Sequence, residues 1–588
     1  MELQRNFCTA LKVGKGAAAQ GCAAFLLLLA FQLVVYAQKP PDSGAVLESI
    51  KKPAALPKPA PEVLPRAPEP RPALGAPGLK LVVKGFRISG NTIYSEDELL
   101  AEVKEFVGKE QTIDGLNDAA TKVRAHYRER GYFLVQAYLP QQEIKNGIVE
   151  IAVIEARIGK VALNLKEGTR FSESLVRGIL EKHLKEGDII TEKGLETPLL
   201  LLNDLPNATV TSEIKPSQTL GAADLTISVT DEAAPTLISG SVDVDNWGNR
   251  YTGANRIGAS FNLSNPFALG DQISLRAFET DEQMGFQRLA YIVPVGYWGT
   301  RLGAAYANFH YHLGKEFEPL GSHGQGQVYT VYAFHPFIRT RGANLILQAA
   351  YETKILNDRV DSTASNIDRI IDTTKLGLVG DLRDGVFGGG LNSYSITLTE
   401  GNGKINQVAV LAADQAPTGA HTAGRFAKTN LEFRRLQKVT DNSNLLISFQ
   451  GQKGSKNLMS AEKFSLGGPS GVRAYPTGEA LGDTGYIFQL EYRYLVPGVR
   501  MGGGDVSLSA FYDQGWVRIN ENPLPATGSP LQDNNNRNLN GFGLSATLGR
   551  DSDFILRAMA AWRIEDEGPQ SDPTNRTPRM WVQAIKWF

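Results

Sequence analysis

The sequence is short of cysteine, net charge and long apolar runs, and each shortage excludes a class of protein. Its only cysteines are Cys8 and Cys22, so the chain after them can form neither a disulfide nor a cysteine-ligated metal centre. The net charge is −1 over 588 residues and no basic stripe is visible, which argues against a nucleic-acid partner. A mean hydropathy of −0.20 argues against a helical membrane protein but is compatible with alternating membrane strands.

Signatures of catalysis are also missing. The chain has neither a phosphate-binding P-loop nor a His-Glu-x-x-His motif, and the residues around Ser470 break the Gly-x-Ser-x-Gly pattern at its last position. His310 and His312 have a spacing that could hold a metal, but they stand among tyrosines, as residues of a membrane-interface belt do. We therefore predict that the protein is not an enzyme, uses no cofactor and has no metal site.

The first 37 residues predict an export signal. Arg5, Lys12 and Lys15 precede an apolar run over residues 23–36, and Ala37 offers a small residue at the expected cut. A retained membrane anchor is the alternative, but the run is shorter than the ~20 residues that a spanning helix needs. Cleavage would remove both cysteines from the mature chain.

Residues 38–78 predict a linker, because repeated proline blocks both helix and sheet. Within it, residues 43–52 contain no proline and either form a short helix or stay a disordered tail. A helix there could plug a pore formed further along the chain, and the sequence leaves these alternatives open.

Two α+β units of about 75 residues follow, over residues 79–156 and 157–232, and the second repeats the β-α-α-β-β order of the first. In the first unit, Ser95 and Glu98 form a capping-box pattern ahead of an apolar run. Modules of this kind often bind an extended peptide by adding a strand at a sheet edge. Peptide contact is favoured over a passive spacer, since a spacer rarely needs two folded copies.

Residues 233–588 lose helical periodicity and show about sixteen alternating segments of the ~10-residue length that a tilted membrane strand requires. In residues 486–494, aromatic and apolar side chains occupy one face, while Gln489, Glu491 and Arg493 occupy the other. An apolar outside and a polar inside are typical of a barrel with a hydrated lumen. The pattern predicts a 16-stranded antiparallel transmembrane β-barrel after the two α+β modules.

The connections between these segments differ in length, as in outer-membrane barrels, where long loops lie outside the cell and short turns inside. Long connections are predicted at residues 354–371, 401–425, 453–483 and 518–537. The chain stops on Phe588. A terminal aromatic residue is usual in such barrels, so Phe588 is a candidate assembly signal.

A motif-bearing loop completes a resemblance to a known family. The export signal, the linker, the two modules and about sixteen strands are joined by Gly471, Val472, Arg473, Ala474 and Tyr475 in a glycine-rich loop. Together they resemble the two-partner secretion transporters, the hemolysin/adhesin secretion-activation branch of the outer-membrane assembly superfamily. The family's loop signature is Val-Arg-Gly-Tyr, so Ala474 stands where the family has glycine.

Two further motifs carry the resemblance. The family's Gly-Asp-x-Gly after the loop is matched by Gly482, Asp483 and Gly485, and its aspartate-bearing strand is matched around Asp513. The resemblance implies that two periplasmic polypeptide-transport-associated (POTRA) modules capture a large secreted exoprotein. The barrel, set in outer-membrane lipid, would export it to the cell surface or the medium. Periplasmic chaperones and the barrel-assembly machinery are further partners that the resemblance admits.

Arg473 and Asp513 predict a latch inside the barrel. Alternation places Asp513 on the inward face of its strand, and Arg473 is the single arginine at the tip of a long loop. If the loop folds inward, the two side chains would form a bidentate ion pair. We predict that Arg473, Tyr475 and Asp513 hold the barrel in a closed or assembly-competent form; a solvated loop charge is the alternative for Arg473.

Three functions are compatible with a barrel of this kind. An exporter of a partner protein is favoured, a barrel-assembly factor of the same superfamily is the alternative, and a passive porin is the third. Assembly factors of the superfamily usually carry more modules, and porins need none. Two modules behind a proline-rich tail therefore favour the exporter.

Overall fold

The computed structural model describes residues 40–50, 80–166, 169–219, 221–231, 237–526, 534–564, 568–572 and 574–588. The predicted export signal and most of the predicted linker lie outside these residues. The described chain forms a short helix, two α+β modules and a closed barrel. None of its helices is long and apolar enough to cross a membrane.

Helix α1 spans Ser43–Ile50, so residues 43–50 adopt the helix that the sequence allowed, and residues 51–52 lie outside the described residues. The side chain of Asp42 accepts a hydrogen bond from the backbone N–H of Ala45 at 3.0 Å. A carboxylate at this position caps the helix and interacts favourably with its N-terminal dipole. Val46 and Leu47 are buried by the barrel.

The first module combines two small sheets with two helices. Its elements are β1 (Lys80–Val82), β2 (Gly85–Ser89), α2 (Glu96–Glu102), β3 (Glu110–Thr112), α3 (Ile113–Glu129), β4 (Gln136–Tyr138) and β5 (Ile148–Ile154). Strands β2 and β5 are parallel, and β4 pairs with β5 in the antiparallel sense. The Ser95 side chain accepts a hydrogen bond from the backbone N–H of Glu98 at 3.3 Å and so caps α2.

The second module repeats the three-stranded sheet and the two helices of the first. Its elements are β6 (Arg157–Leu165), α4 (Glu173–His183), α5 (Glu192–Asn203), β7 (Ala208–Pro216) and β8 (Ala222–Asp231). Strands β6 and β8 are parallel, and β7 pairs with β8 in the antiparallel sense. Leucines of α5, among them Leu199, Leu200 and Leu202, are buried against this sheet. The predicted internal repeat is therefore present in the fold.

Sixteen antiparallel strands close into the barrel. The first eight are β9 (Ile238–Asp245), β10 (Arg256–Ser264), β11 (Gln272–Thr280), β12 (Gly285–Pro294), β13 (Arg301–His312), β14 (Ser322–Arg339), β15 (Ala343–Val360) and β16 (Ser365–Asp384). The others are β17 (Gly390–Ile405), β18 (Gly424–Thr440), β19 (Ser443–Gly454), β22 (Thr484–Met501), β23 (Gly504–Arg518), β24 (Asn536–Arg550), β25 (Phe554–Arg563) and β26 (Arg579–Trp587). The predicted fold class is confirmed.

Apolar side chains face away from the barrel interior, as the alternation predicted. Large exposed examples on different strands are Leu289, Val331, Tyr351, Leu376, Leu398 and Leu544. Neighbours in the alternation point inward, and charged ones such as Lys354, Glu491 and Asp513 are buried there. The outer face is therefore suited to hydrocarbon, and the inner face carries the charged side chains.

The predicted loop over residues 354–371 is wrong. Strand β15 continues to Val360, and β16 begins at Ser365, so both strands extend the hairpin well beyond the predicted strand ends. The predicted loop over residues 401–425 is likewise shortened by β17 and contains helix α6 (Val408–Asp414). Continued cross-strand pairing satisfies the backbone hydrogen bonds of these polar segments, which no longer alternate between an apolar and a polar face.

The second module is fastened to the short-turn end of the barrel. Arg339 at the end of β14 donates from Nε and Nη2 to the two carboxylate oxygens of Asp204, at 2.8 and 2.6 Å. In the next turn, the backbone N–H of Arg341 donates to Oε2 of Glu196 at 3.1 Å. These contacts place the second module below the turns, on the side opposite the long hairpins.

The barrel closes between its last and first strands over a short seam. Strands β26 and β9 pair over residues 583–587 of β26. Phe588, just beyond β26, adds two backbone hydrogen bonds to Gly240, at 2.9 and 3.1 Å. Its ring packs against Phe261 with a centroid distance of 5.7 Å. Phe588 thus extends the short pairing between β26 and β9 by one residue.

We predict that deleting Phe588 lowers the yield of folded barrel, because the seam loses two hydrogen bonds worth about 0.5–1.5 kcal/mol each. The measurement is the fraction of unheated protein that keeps the fast mobility of a folded barrel on an SDS gel. Phe588→Tyr keeps the ring and the backbone, and should assemble normally. Normal assembly of the deletion variant would contradict the prediction.

Candidate functional site

The connection from β19 to β22 folds back into the barrel interior. Its short strands β20 (Phe464–Ser465) and β21 (Leu481–Gly482) pair with each other; we call residues 464–482 the lumen loop. The loop packs against inward-facing residues of the barrel wall in one apolar cluster of buried residues: Leu466, Val472, Ala474, Tyr475, Ile487, Phe511, Val517, Leu539 and Ala561.

Arg473 lies between two carboxylates of the barrel wall. Its Nε and Nη2 donate to Oδ2 and Oδ1 of Asp513 at 2.8 and 2.7 Å, the bidentate geometry that guanidinium and carboxylate favour. Its backbone N–H donates to the same aspartate at 3.0 Å. Its Nη1 donates to Glu491 Oε2 at 2.5 Å. Arg473 and Asp513 are thus in contact, as the sequence predicted. Glu491, which the sequence predicted to face inward, is a second partner of Arg473.

The ion pair is shielded from water. Asp513 has no exposed surface, and Arg473 keeps 5% of its own. The guanidinium carbon of Arg473 lies 3.4 Å from the centroid of the Phe511 ring, which covers one side of it and adds a cation–π contact. Removing one partner of a buried pair costs ~3–5 kcal/mol, because the other charge is left uncompensated; an exposed pair is worth only ~0–1 kcal/mol.

Two barrel side chains also hold the main chain of the lumen loop. Trp581 Nε1 donates to the carbonyl oxygen of Arg473 at 2.8 Å. Gln489 Nε2 donates to the carbonyl oxygen of Gly471 at 2.8 Å. Because Trp581 belongs to β26, the loop is tied to a strand of the barrel seam.

Ala474 packs against the barrel wall at Gly541, a residue without a side chain. A Cβ placed on Gly541 of β24 would lie 2.5 Å from the Ala474 Cβ, so a glycine is needed there when the loop carries alanine. The φ angle of Ala474 is negative, so alanine adopts the backbone conformation of this position without strain. Tyr475 is fully buried, and the guanidinium carbon of Arg563 lies 6.0 Å from its ring centroid.

The loop-motif glycines allow close approach of backbone to backbone. A Cβ on Gly471 would lie 2.0 Å from the carbonyl oxygen of Leu466. On Gly482 and Gly485 it would lie 2.6 and 2.5 Å from backbone oxygens of β23. Any side chain at these positions would push the loop away from the wall.

Asp483 fastens the base of the lumen loop. It is fully buried and accepts hydrogen bonds from the backbone N–H groups of Leu458 and Glu521, at 3.0 and 2.8 Å. Lys463 Nζ donates to it at 2.7 Å. Both ends of the connection are therefore fixed to the end of β23.

Glu479 and Arg537 form a second buried ion pair, which the sequence analysis missed. Arg537 Nη2 donates to Glu479 Oε1 at 3.0 Å. The backbone N–H groups of Gln570 and Ser571 donate to the same carboxylate at 2.9 and 2.8 Å. Strand alternation could have predicted that Arg537 on β24 faces inward, but it could not predict that its partner is Glu479.

Helix α1 lies in the lumen and is held at its N-terminus. The backbone N–H and the hydroxyl of Ser43 donate to the carboxylate of Asp358 at 2.7 and 3.0 Å. The hydroxyl of Tyr311 donates to the same carboxylate at 2.6 Å. Val46 and Leu47 pack into the apolar cluster that surrounds Tyr311.

Helix α1 also touches the segment that leads into the lumen loop. A Cβ on Gly44 would lie 2.4 Å from the backbone nitrogen of Ala461. The next residue, Glu462, forms ion pairs with Lys354 of β15 and, at 2.8 Å, with Lys428 of β18. The helix therefore rests on a segment that is itself anchored to the barrel wall.

The remaining sequence candidates stand apart from the lumen loop. His312 stacks on His323 with ring centroids 5.4 Å apart. Within the described ranges, no group of three or more His, Cys, Asp or Glu side chains could hold a metal ion. Phe588 lies at the barrel seam.

Two family models match the chain. The model described as haemolysin secretion/activation protein ShlB/FhaC/HecB matches residues 221–529. The model described as POTRA domain, ShlB-type, matches residues 81–156. These residues include the first module, most of the barrel and the whole lumen loop.

Curated and solved relatives resemble the chain over most of its length. The heme/hemopexin transporter protein HuxB of Haemophilus influenzae (strain ATCC 51907 / DSM 11121 / KW20 / Rd) is 27% identical over 517 residues, 87% of this chain and 88% of that protein. The hemolysin transporter protein ShlB of Serratia marcescens is 24% identical over 518 residues, 85% and 86% of the two chains. The solved structure of CdiB from Escherichia coli matches with a TM-score of 0.66 at 19% identity, covering 88% of this chain and 93% of that one; it shows the same fold.

We predict that Arg473→Ala releases the lumen loop, because Asp513 is left buried and unpaired at a cost of ~3–5 kcal/mol. Release is measured with Val472→Cys as a reporter, in a chain whose two native cysteines are replaced. The buried Val472 position should react with a membrane-impermeant maleimide only after the loop has moved.

Arg493→Ala is the matched control. Arg493 also pairs with Glu491, at 2.7 Å, but 39% of its side chain is exposed, so its loss should leave the reporter protected. Equal labelling of the two variants would show that the Arg473 pair does not hold the loop.

Proposed function

The chain belongs to the haemolysin secretion/activation family ShlB/FhaC/HecB, and we propose that its occupied lumen is the resting state of an export cycle. The protein is an outer-membrane transporter that acts with a large secreted partner protein, and its POTRA region lies in the periplasm. One observation carries the proposal: helix α1 and the lumen loop lie in the same interior, and the helix contacts Ala461 in the segment that leads into the loop.

We infer that helix α1 leaves the lumen before the lumen loop does. The helix has eight residues, and so short a helix is marginal in water on its own; its fold depends on the barrel. The polar contacts of its first turn converge on Asp358, whereas Arg473, Glu479 and Asp483 each anchor the loop by buried charges. Entry of a partner segment would displace the more weakly held element.

We propose that the first module binds an extended segment of the partner at its β4 edge. Strand β4 is at the edge of its three-stranded sheet, and its Tyr138 is exposed. An edge strand presents unpaired backbone groups that a partner strand can complete. A partner segment that pairs with β4 would run alongside this strand.

We also propose that periplasmic chaperones and the barrel-assembly machinery handle the chain before insertion. The seam joins β26, the last strand, to β9, the first strand of the barrel. The barrel cannot close until both strands have crossed into the periplasm. Before closure, the unpaired edges of β9 and β26 are prone to aggregation.

The export function predicts a specific loss from the secreted proteins. Deleting the gene should remove one large protein from the medium or from the protease-sensitive cell surface, and the full chain should restore it. A chain lacking residues 80–154 should insert as a barrel without restoring the protein. An unchanged set of secreted and surface proteins would overturn the function.

The plug role of α1 predicts a change in conductance. Leu47→Glu forces an unpaired carboxylate into an apolar cluster, which costs several kcal/mol, so the helix should leave and single-channel conductance in planar bilayers should rise without a partner present. Ser49→Glu, on the half-buried side of the helix, is the control and should behave like the parent chain. Identical conductance of all three proteins would contradict the plug role.

A further inference from the structure

A cleft opens where the second module meets the rim of the barrel. It has a volume of about 450 Å³, within the range of small-molecule sites. Helices α4 and α5 form one side, the turn between β12 and β13 a second side, and the end of β14 the third. Its lining includes His183, Lys193, Thr197, Trp298, Phe337 and Arg339.

The barrel side of the cleft continues onto the lipid-facing surface. Trp298 and Phe337 are 52% and 58% exposed, although both are large and apolar. Leu302 and Val331, on the outer faces of β13 and β14, are exposed as well. Aromatic residues in such positions lie at the boundary between lipid and water, which places the cleft at the level of the periplasmic headgroups.

The module side of the cleft supplies positive charge. Lys193 of α5 lines the cleft, as does Arg339 of β14 on the barrel side, and the Nζ of Lys182 on α4 lies 4.7 Å from the centroid of the Trp298 ring. Arg339 is already paired with Asp204. Within the described chain, neither Lys182 nor Lys193 forms an ion pair, so their charges are available to a ligand.

The cleft is built by contacts between the two parts of the protein. The His183 ring meets Trp298 edge-on at a centroid distance of 5.2 Å, and its Nε2 lies 3.3 Å from the carbonyl oxygen of Tyr297. Burial lowers the pKa of His183, so that at neutral pH it serves as a wall of the cleft and the lysines carry the charge.

We propose that this cleft binds the phosphate headgroup of an anionic phospholipid from the periplasmic leaflet of the outer membrane. The lysines pair with the phosphate, and the acyl chains lie along Phe337 and the outer faces of β13 and β14. A bound lipid bridges the second module and the barrel rim, and so fixes the module beneath the pore. A free anion would use the lysines but would gain nothing from the exposed apolar wall.

The test uses the full chain purified in detergent, titrated with phosphatidylglycerol or phosphatidylcholine and read by native mass spectrometry. The parent chain should retain phosphatidylglycerol in preference to phosphatidylcholine. A juxtamembrane lysine contributes about 1 kcal/mol toward anionic lipid, so Lys182→Gln with Lys193→Gln should weaken phosphatidylglycerol binding by roughly 10- to 30-fold. Equal retention of the two lipids by the parent chain would overturn the proposal.

A matched control separates local from general charge. Lys109→Gln with Lys160→Gln removes two exposed lysines that do not line the cleft, and should bind phosphatidylglycerol like the parent chain. Equal weakening by the two double variants would overturn the proposal. Folding of every variant is checked by its unheated mobility on an SDS gel.

Two further arms distinguish lipid from free phosphate. Phe337→Ala should weaken binding of long-chain phosphatidylglycerol while leaving folding intact, because the ring is 58% exposed and its ring contact within the protein is with His335, edge-on at a centroid distance of 5.2 Å. Inorganic phosphate in large excess should fail to displace the lipid. Displacement by phosphate, or an unaltered affinity in Phe337→Ala, would mean that the cleft is an anion site without lipid specificity.

Discussion

The buried ion pair between Arg473 and Asp513 is the strongest contact between the lumen loop and the barrel wall. Three donors of one residue converge on a carboxylate without solvent access, and in so dry a place either charge alone would be unfavourable. The loop can therefore leave only if both charges regain water or new partners together.

The rest of the lumen is built outward from that pair. Glu491 of β22 and Trp581 of β26 also bond to Arg473. The Glu479–Arg537 pair fixes the other side of the loop. The segment before the loop is held by Lys354 and Lys428, and helix α1 rests on it. In the proposed export cycle, this short helix would leave first, while the segment beneath it stays bonded to the barrel wall.

A second set of charged contacts lies at the periplasmic end. The second module is held to the rim by Arg339 and Asp204 and leaves a positively charged cleft beside exposed aromatic residues. The first module carries an open sheet edge. In the proposed function, the partner would meet the open sheet edge of the first module and then the second module, which is held at the barrel rim.

Period-two alternation was enough to predict the barrel, its strand number and the inward face of Asp513, because a strand's geometry is local. Two β-α-α-β-β units followed from turn and capping signals, which are local too. The extension of β15 and β16 was missed, since polar strands paired above the membrane carry no apolar stripe to mark them.

The sequence by itself determined which side chains face the lumen and where the loop bears its arginine. Only the tertiary structure decided which of those charges meet. Arg473 is 40 residues from Asp513 and 108 from Trp581, and Glu479 is 58 from Arg537. Such partners are set by strand register and barrel closure, which are collective properties of all sixteen strands, and no local pattern encodes them.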